Sequence, residues 1–270
     1  MWPTSTSDPP PAPAPVPPPV PAPVPPPVPL ARAAFLDLLT AAVALVFANA
    51  VLVLPVFVIA IAASGVDPAA VDIGTLMQER MPLLVAATVG ATVLAALIAW
   101  AVRARRLPAL APMRAGVAYP LAVGAGLLIQ LGCIAISLLA QSAGTPIAPS
   151  NDEPLQALAK EWPWLAWVFV VAVAPAAEEL LFRHVLLRRF ALAGRASLGL
   201  VVTGLVFAAL HEPVPGAAGP GAWLAAVALY VGMSTGFGLV YLRTGRLGAA
   251  VAAHAACNLL ALALAAFSTL

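Results

Sequence analysis

Charge is scarce in this chain: only 9% of its 270 residues are Asp, Glu, Lys or Arg. A soluble domain carries about 25%, so this sequence cannot cover itself with polar surface. With 62% hydrophobic residues and a mean hydropathy of +0.99, most of it must meet lipid rather than water. Cysteine is nearly absent too. Cys133 and Cys257 both lie in apolar runs, which excludes a disulfide framework and makes them small hydrophobes. The formal net charge of +2 is too small to argue for a nucleic-acid partner. No internal repeat is evident.

Proline is unevenly spent. The stretch "DPPPAPAPVPPPVPAPVPPPVP" cannot form a helix or a sheet interior, because proline lacks an N–H and has a fixed φ. Residues 1–30 are therefore expected to be a proline-rich, polyproline II or disordered tail. The tail has no basic segment followed by an apolar one, so it does not read as a signal peptide. Residues 31–270 form the expected helical membrane domain.

Apolar stretches of spanning length fall at about 36–63 (with Pro55 as a kink), 82–102, 117–140, 164–188, 196–211, 222–242 and 247–268. The fold class is all-α: a polytopic membrane protein with about seven transmembrane helices. Basic residues test this map, because short cytoplasmic loops retain them. Arg103, Arg105, Arg106 and Arg114 follow the second span, Arg188, Arg189 and Arg195 the fourth, and Arg243 and Arg246 the sixth, while Arg32 precedes the first. The opposite loops hold Arg80 and Lys160 beside Asp67, Asp72, Asp152 and Glu153. The alternation predicts a multi-pass protein of the cell membrane with a cytoplasmic N-terminus.

Against this oily background, "APAAEELLFRH" at 174–184 stands out. A charge at the bilayer centre costs at least ~2.5–3.5 kcal/mol, so charged residues within spans are functional candidates. Glu179 and Arg183 are i and i+4 with the glutamate N-terminal, the better orientation for a helical ion pair. Glu178 is turned about 100° away, lacks that partner and can face a cavity. His211 closes the fifth span, and His254 and Asn258 share one face of the seventh. At about 1.5 Å per residue, Glu178, His254 and His211 all fall around the middle of the membrane, so they can converge. A carboxylate and a histidine around one water can deprotonate it for attack on a carbonyl, and a second histidine and an asparagine can donate to the resulting oxyanion. The same residue types could instead ligate a divalent metal such as Zn²⁺.

Other polar residues receive simpler readings. His184 is placed at the cytoplasmic rim. Glu212 reads as a solvated helix cap, Asp37 as a span-end residue within reach of water, and Asn49 and Gln130 as interhelical packing amides. Trp162, Trp164 and Trp167 form an interfacial aromatic belt.

"EELLFR" at 178–183, "FAALH" at 207–211 and "HAACN" at 254–258 resemble, in order, the EExxxR, FxxxH and HxxxN motifs of the CPBP intramembrane proteases, a family of CAAX prenyl endopeptidases of type two and Abi proteins. The resemblance covers about 160–265. It implies an intramembrane endopeptidase in which Glu178 and His211 activate water, His254 and Asn258 stabilise the oxyanion, and Glu179 and Arg183 support the site. Its substrate would be a peptide or lipid-modified protein at the membrane. Family members are described as metalloproteases, and a glutamate-type mechanism without a ligated metal fits these residues equally; the latter is favoured here. One departure is His184, where the family often has a small glycine. The alternative is a non-catalytic membrane immunity or scaffold protein of the same family. An ion transporter is disfavoured, because no second half with matching broken helices is seen.

Overall fold

Apolar chain in lipid must satisfy its backbone groups within itself, and helices do so. The computed structural model describes residues 29–65, 72–147, 149–150, 152–215 and 219–268; the proline-rich stretch up to residue 28 and Asp67 lie outside the described residues. Among the described residues there are helices and no strand. They are α1 (Leu30–Ser64), α2 (Ile73–Glu79), α3 (Met81–Ala104), α4 (Ala115–Ser142), α5 (Asp152–Glu161), α6 (Pro163–Leu192), α7 (Ala196–His211), α8 (Gly219–Thr244) and α9 (Leu247–Ser268). The protein is an all-α polytopic membrane protein. Six of these helices are long and apolar enough to span a membrane, while α7 has only 16 residues. The expectation of about seven spans thus becomes six of full length and one short helix. Helix α1 continues through Pro55. Helices α2 and α5 were not anticipated. Asp72 caps α2, and hydrogen bonds from Thr75 and from the Gly74 N–H hold its carboxyl below the usual carboxylate range.

The packing places small residues inside and large ones outside. Ala44, Ala48, Ala91 and Ala95 fill the α1–α3 contact, whereas Val46, Leu128 and Leu139 are 71%, 70% and 69% exposed. Lipid is as apolar as leucine, so helices associate through close contact of small side chains rather than by hiding large ones. Gly126 is the tightest such contact. A Cβ there would stand 2.0 Å from the carbonyl oxygen of Ala253, the residue before His254. Gly126→Ala must push α4 and α9 apart, with an expected loss of about 1–3 kcal/mol, read as a lower thermal midpoint in detergent.

The arginines that the sequence places in alternate loops gather at one end of the bundle. Asp37, only 1% exposed, accepts from Arg103 Nε at 2.7 Å and from Arg189 through both Nε and Nη2. Arg188 donates to the Ala104 carbonyl at 2.6 Å, and Arg246 to that of Met113. This corrects the reading of Asp37 as water-accessible: it is a buried acceptor joining α1, α3 and α6. The arginine side chains remain 25% and 18% exposed and can turn to water, which limits the cost of losing Asp37. Asp37→Ala is expected to lower stability by about 1–3 kcal/mol, measurable by thermal unfolding of the purified protein.

Candidate active site

Helix α6 carries the double glutamate and contacts α1, α3, α5, α7, α8 and α9. Its backbone is not uniformly α-helical. Residues Phe169–Val173 and Leu180–Leu187 are π-helical, and Glu178 and Glu179 lie on the α-helical turn between them. Such wider turns are frequent at functional sites.

Glu179 and Arg183 both have fully buried side chains, with Nε 2.8 Å from Oε2, so the i,i+4 pair forms across the change from α to π. The second oxygen of Glu179 meets His254 Nδ1 at 3.0 Å. Arg183 also donates from Nη1 to Ser234 Oγ at 3.1 Å, and its guanidinium carbon lies 5.8, 5.8 and 6.0 Å from the ring centres of Phe182, Phe207 and Phe237. A carboxylate on one side and three aromatic faces on the others make a cation tolerable there.

Glu178 is different. Its side chain keeps 17% exposure, and Oε2 stands 3.9 Å from His254 Nε2. His254 therefore bridges the two glutamates, and its ring stacks on Phe237 at 4.4 Å. That separation is too long for a direct hydrogen bond and suits a shared water.

His211 approaches from another wall. Its ring is stacked between Phe207 at 4.2 Å and Tyr230 at 4.6 Å, and its Nδ1 bonds the Phe207 carbonyl at 2.8 Å. A carbonyl can only accept, so Nδ1 carries a hydrogen, and in the neutral imidazole Nε2 is then the acceptor. No ion pair within 4.0 Å joins His211 to either glutamate. Phe207 neighbours both imidazoles, its ring 4.2 Å from that of His211 and 6.3 Å from that of His254. Asn258 does not face Glu178 with this donor: its Nδ2 donates to the Val170 carbonyl at 2.8 Å.

The neighbours of His211 correct a second expectation. Glu212 is only 4% exposed. Its carboxylate accepts from the Ser150 N–H at 2.8 Å, its carbonyl accepts from Trp223 Nε1 at 3.0 Å, and Ser150 Oγ donates to the His211 carbonyl. It anchors the chain that follows α7 rather than lying in solvent. His184 turns away from the glutamates and meets Tyr241 OH at 3.3 Å. Asn49 bonds its own helix at Leu45, while Gln130 accepts from Cys257 Sγ at 3.3 Å. Tyr230, Ser234 and Phe237 were missed as site neighbours; they recur at i, i+4 and i+7 on α8, a helical stripe legible in "YVGMSTGF".

The donor set can be tested against a metal. Both oxygens of Glu179 are engaged by Arg183 and His254, His254 Nδ1 is engaged by Glu179, and His211 stands beyond 4.0 Å of both glutamates. Among the described residues no three His, Cys, Asp or Glu side chains converge as a ligand set.

Fold and site together define a multi-pass membrane protein whose buried centre is built from two glutamates, an arginine and histidines. The family model described as type II CAAX prenyl endopeptidase Rce1-like matches residues 160–260, the segment that holds all three motifs, so over this segment the chain is similar to that family. Helices α1 to α4 lie outside the match. No curated protein and no solved structure matches the chain.

Proposed function

We propose that the protein is an intramembrane endopeptidase of glutamate type, hydrolysing peptide bonds of membrane-associated proteins, including lipid-modified, CAAX-like ones. The observation that carries this reading is the asymmetry of the double glutamate: Glu179 is fully committed to Arg183 and His254, while Glu178 is partly accessible beside His254 Nε2. Glu178 takes a proton from a water whose other side the Nε2 acceptor of His211 can hold. The water oxygen bonds to the scissile carbonyl carbon. His254, held by Glu179 through Nδ1, donates through Nε2–H to the oxyanion that forms. When the C–N bond breaks, Glu178 returns its proton to the leaving amine. The basic end of the bundle faces the cytoplasm, by the rule that short cytoplasmic loops keep their arginines. The test is a comparison of membrane proteomes from cells with the wild type and with Glu178→Ala. Fragments present only with the wild type identify the substrate; identical proteomes under matched expression count against proteolysis and for a scaffold or immunity role.

A further inference from the structure

Pro175 and Asn258 form a pair that the three motifs do not explain. In the π-turn of α6, the Ala174 N–H bonds the carbonyl of Phe169, five residues back. The next bond in that register would run from residue 175 to Val170. Residue 175 is proline and has no N–H, so the Val170 carbonyl loses its backbone donor in a membrane interior where an unpaired group costs several kcal/mol. The amide of Asn258 donates to that carbonyl at 2.8 Å. One turn earlier on the same face of α9, His254 bonds Glu179 at 3.0 Å. Helix α9 thus grips α6 at the turn that bears Glu178 and again at the π-turn before it.

We propose that Asn258 is a positioning residue that replaces the hydrogen bond Pro175 cannot make, and so sets the register in which Glu178 and Glu179 meet His254. This deepens the proteolytic reading of the site and rests on it for the catalytic consequence, but the clamp itself is a property of the fold. It separates Asn258 from a group that touches the oxyanion. A direct oxyanion donor would act whatever residue stands at 175. A clamp becomes redundant once residue 175 can donate for itself.

The experiment compares wild type, Asn258→Ala, Pro175→Ala and the double variant, with Asn258→Asp as an isosteric variant lacking the N–H. Carbonyl-13C, amide-15N labelling of valine reports on Val170, because the sequence holds only two Val–Val pairs, 170–171 and 201–202. Val201→Ala, at a 55% exposed position, removes the other. The Val170 carbonyl signal is expected to move upfield in Asn258→Ala and Asn258→Asp and to return in the double variant. Cleavage is expected to fall roughly 10²-fold in kcat with Asn258→Ala, with KM little changed, as a misplaced catalytic group does. In the Pro175→Ala background the same change should cost less than about 10-fold. An unmoved carbonyl in both Asn258 variants overturns the clamp. Equal losses of kcat in both backgrounds overturn the positioning role and make Asn258 a direct participant. If the wild type cleaves nothing, the proteolytic reading fails, and the carbonyl shifts still decide the clamp.

Discussion

Glu178→Gln is expected to lower kcat/KM for a membrane substrate by about 10²–10⁴-fold, the usual contribution of a general base, while the protein extracts and melts as the wild type does. Glutamine keeps the shape of the side chain and loses only its capacity to take a proton. The fold has little stake in the charge: Glu178 is partly exposed, and its nearest ion-pair contact is the 3.9 Å approach to His254. The check is a pair of measurements on one preparation, cleavage rate and thermal midpoint. Retained cleavage would remove Glu178 as the base; a lowered midpoint of several degrees would show that it holds the structure instead.

Arg183→Met is expected to behave in the opposite way, reducing stability first. It removes the Glu179 pair, the Ser234 hydrogen bond and three aromatic contacts, and leaves Glu179, with no exposed side-chain surface, attached to His254 alone. Breaking a buried pair from one side costs about 3–5 kcal/mol, whereas removing both charges together is often nearly neutral. Glu179→Gln combined with Arg183→Met should therefore recover much of the thermal midpoint lost by Arg183→Met. The double variant should remain inactive, because His254 has then lost the carboxylate that orients it. A double variant no more stable than Arg183→Met would refute the buried-charge account.

The parts of the fold legible in the sequence are those carried by local pattern. Apolar length located the helices to within a few residues, and i,i+4 spacing found the Glu179–Arg183 pair, because both are properties of a single helix. The partner of a charge on another helix is not encoded locally. Asp37 looked close to water because it lies near a span end, yet its arginines come from positions 66 and 152 residues away in the chain. Glu212 followed a helix end and read as solvated; its partner Ser150 lies 62 residues earlier. Depth alone allowed Glu178, His211 and His254 to meet. It could not show that Phe207 stacks on His211 and also neighbours His254, since which face a ring fills depends on the helix packed against it. The amphipathic α5 was hidden for a different reason: ten residues of mixed polarity leave no mark on a search for long apolar runs.

Helix α7 reaches about 24 Å at 1.5 Å per residue, short of a hydrocarbon layer of about 30 Å. One flank of it is open to lipid, for Leu198, Val201, Leu205 and Leu210 are all about half exposed. Acyl chains along that flank must shorten or tilt to meet the helix ends. The bilayer is then expected to thin beside the helix that ends in His211. On the proteolytic reading proposed above, a membrane-anchored chain that arrives along this flank would have less hydrocarbon to cross before its peptide bond reached the glutamates.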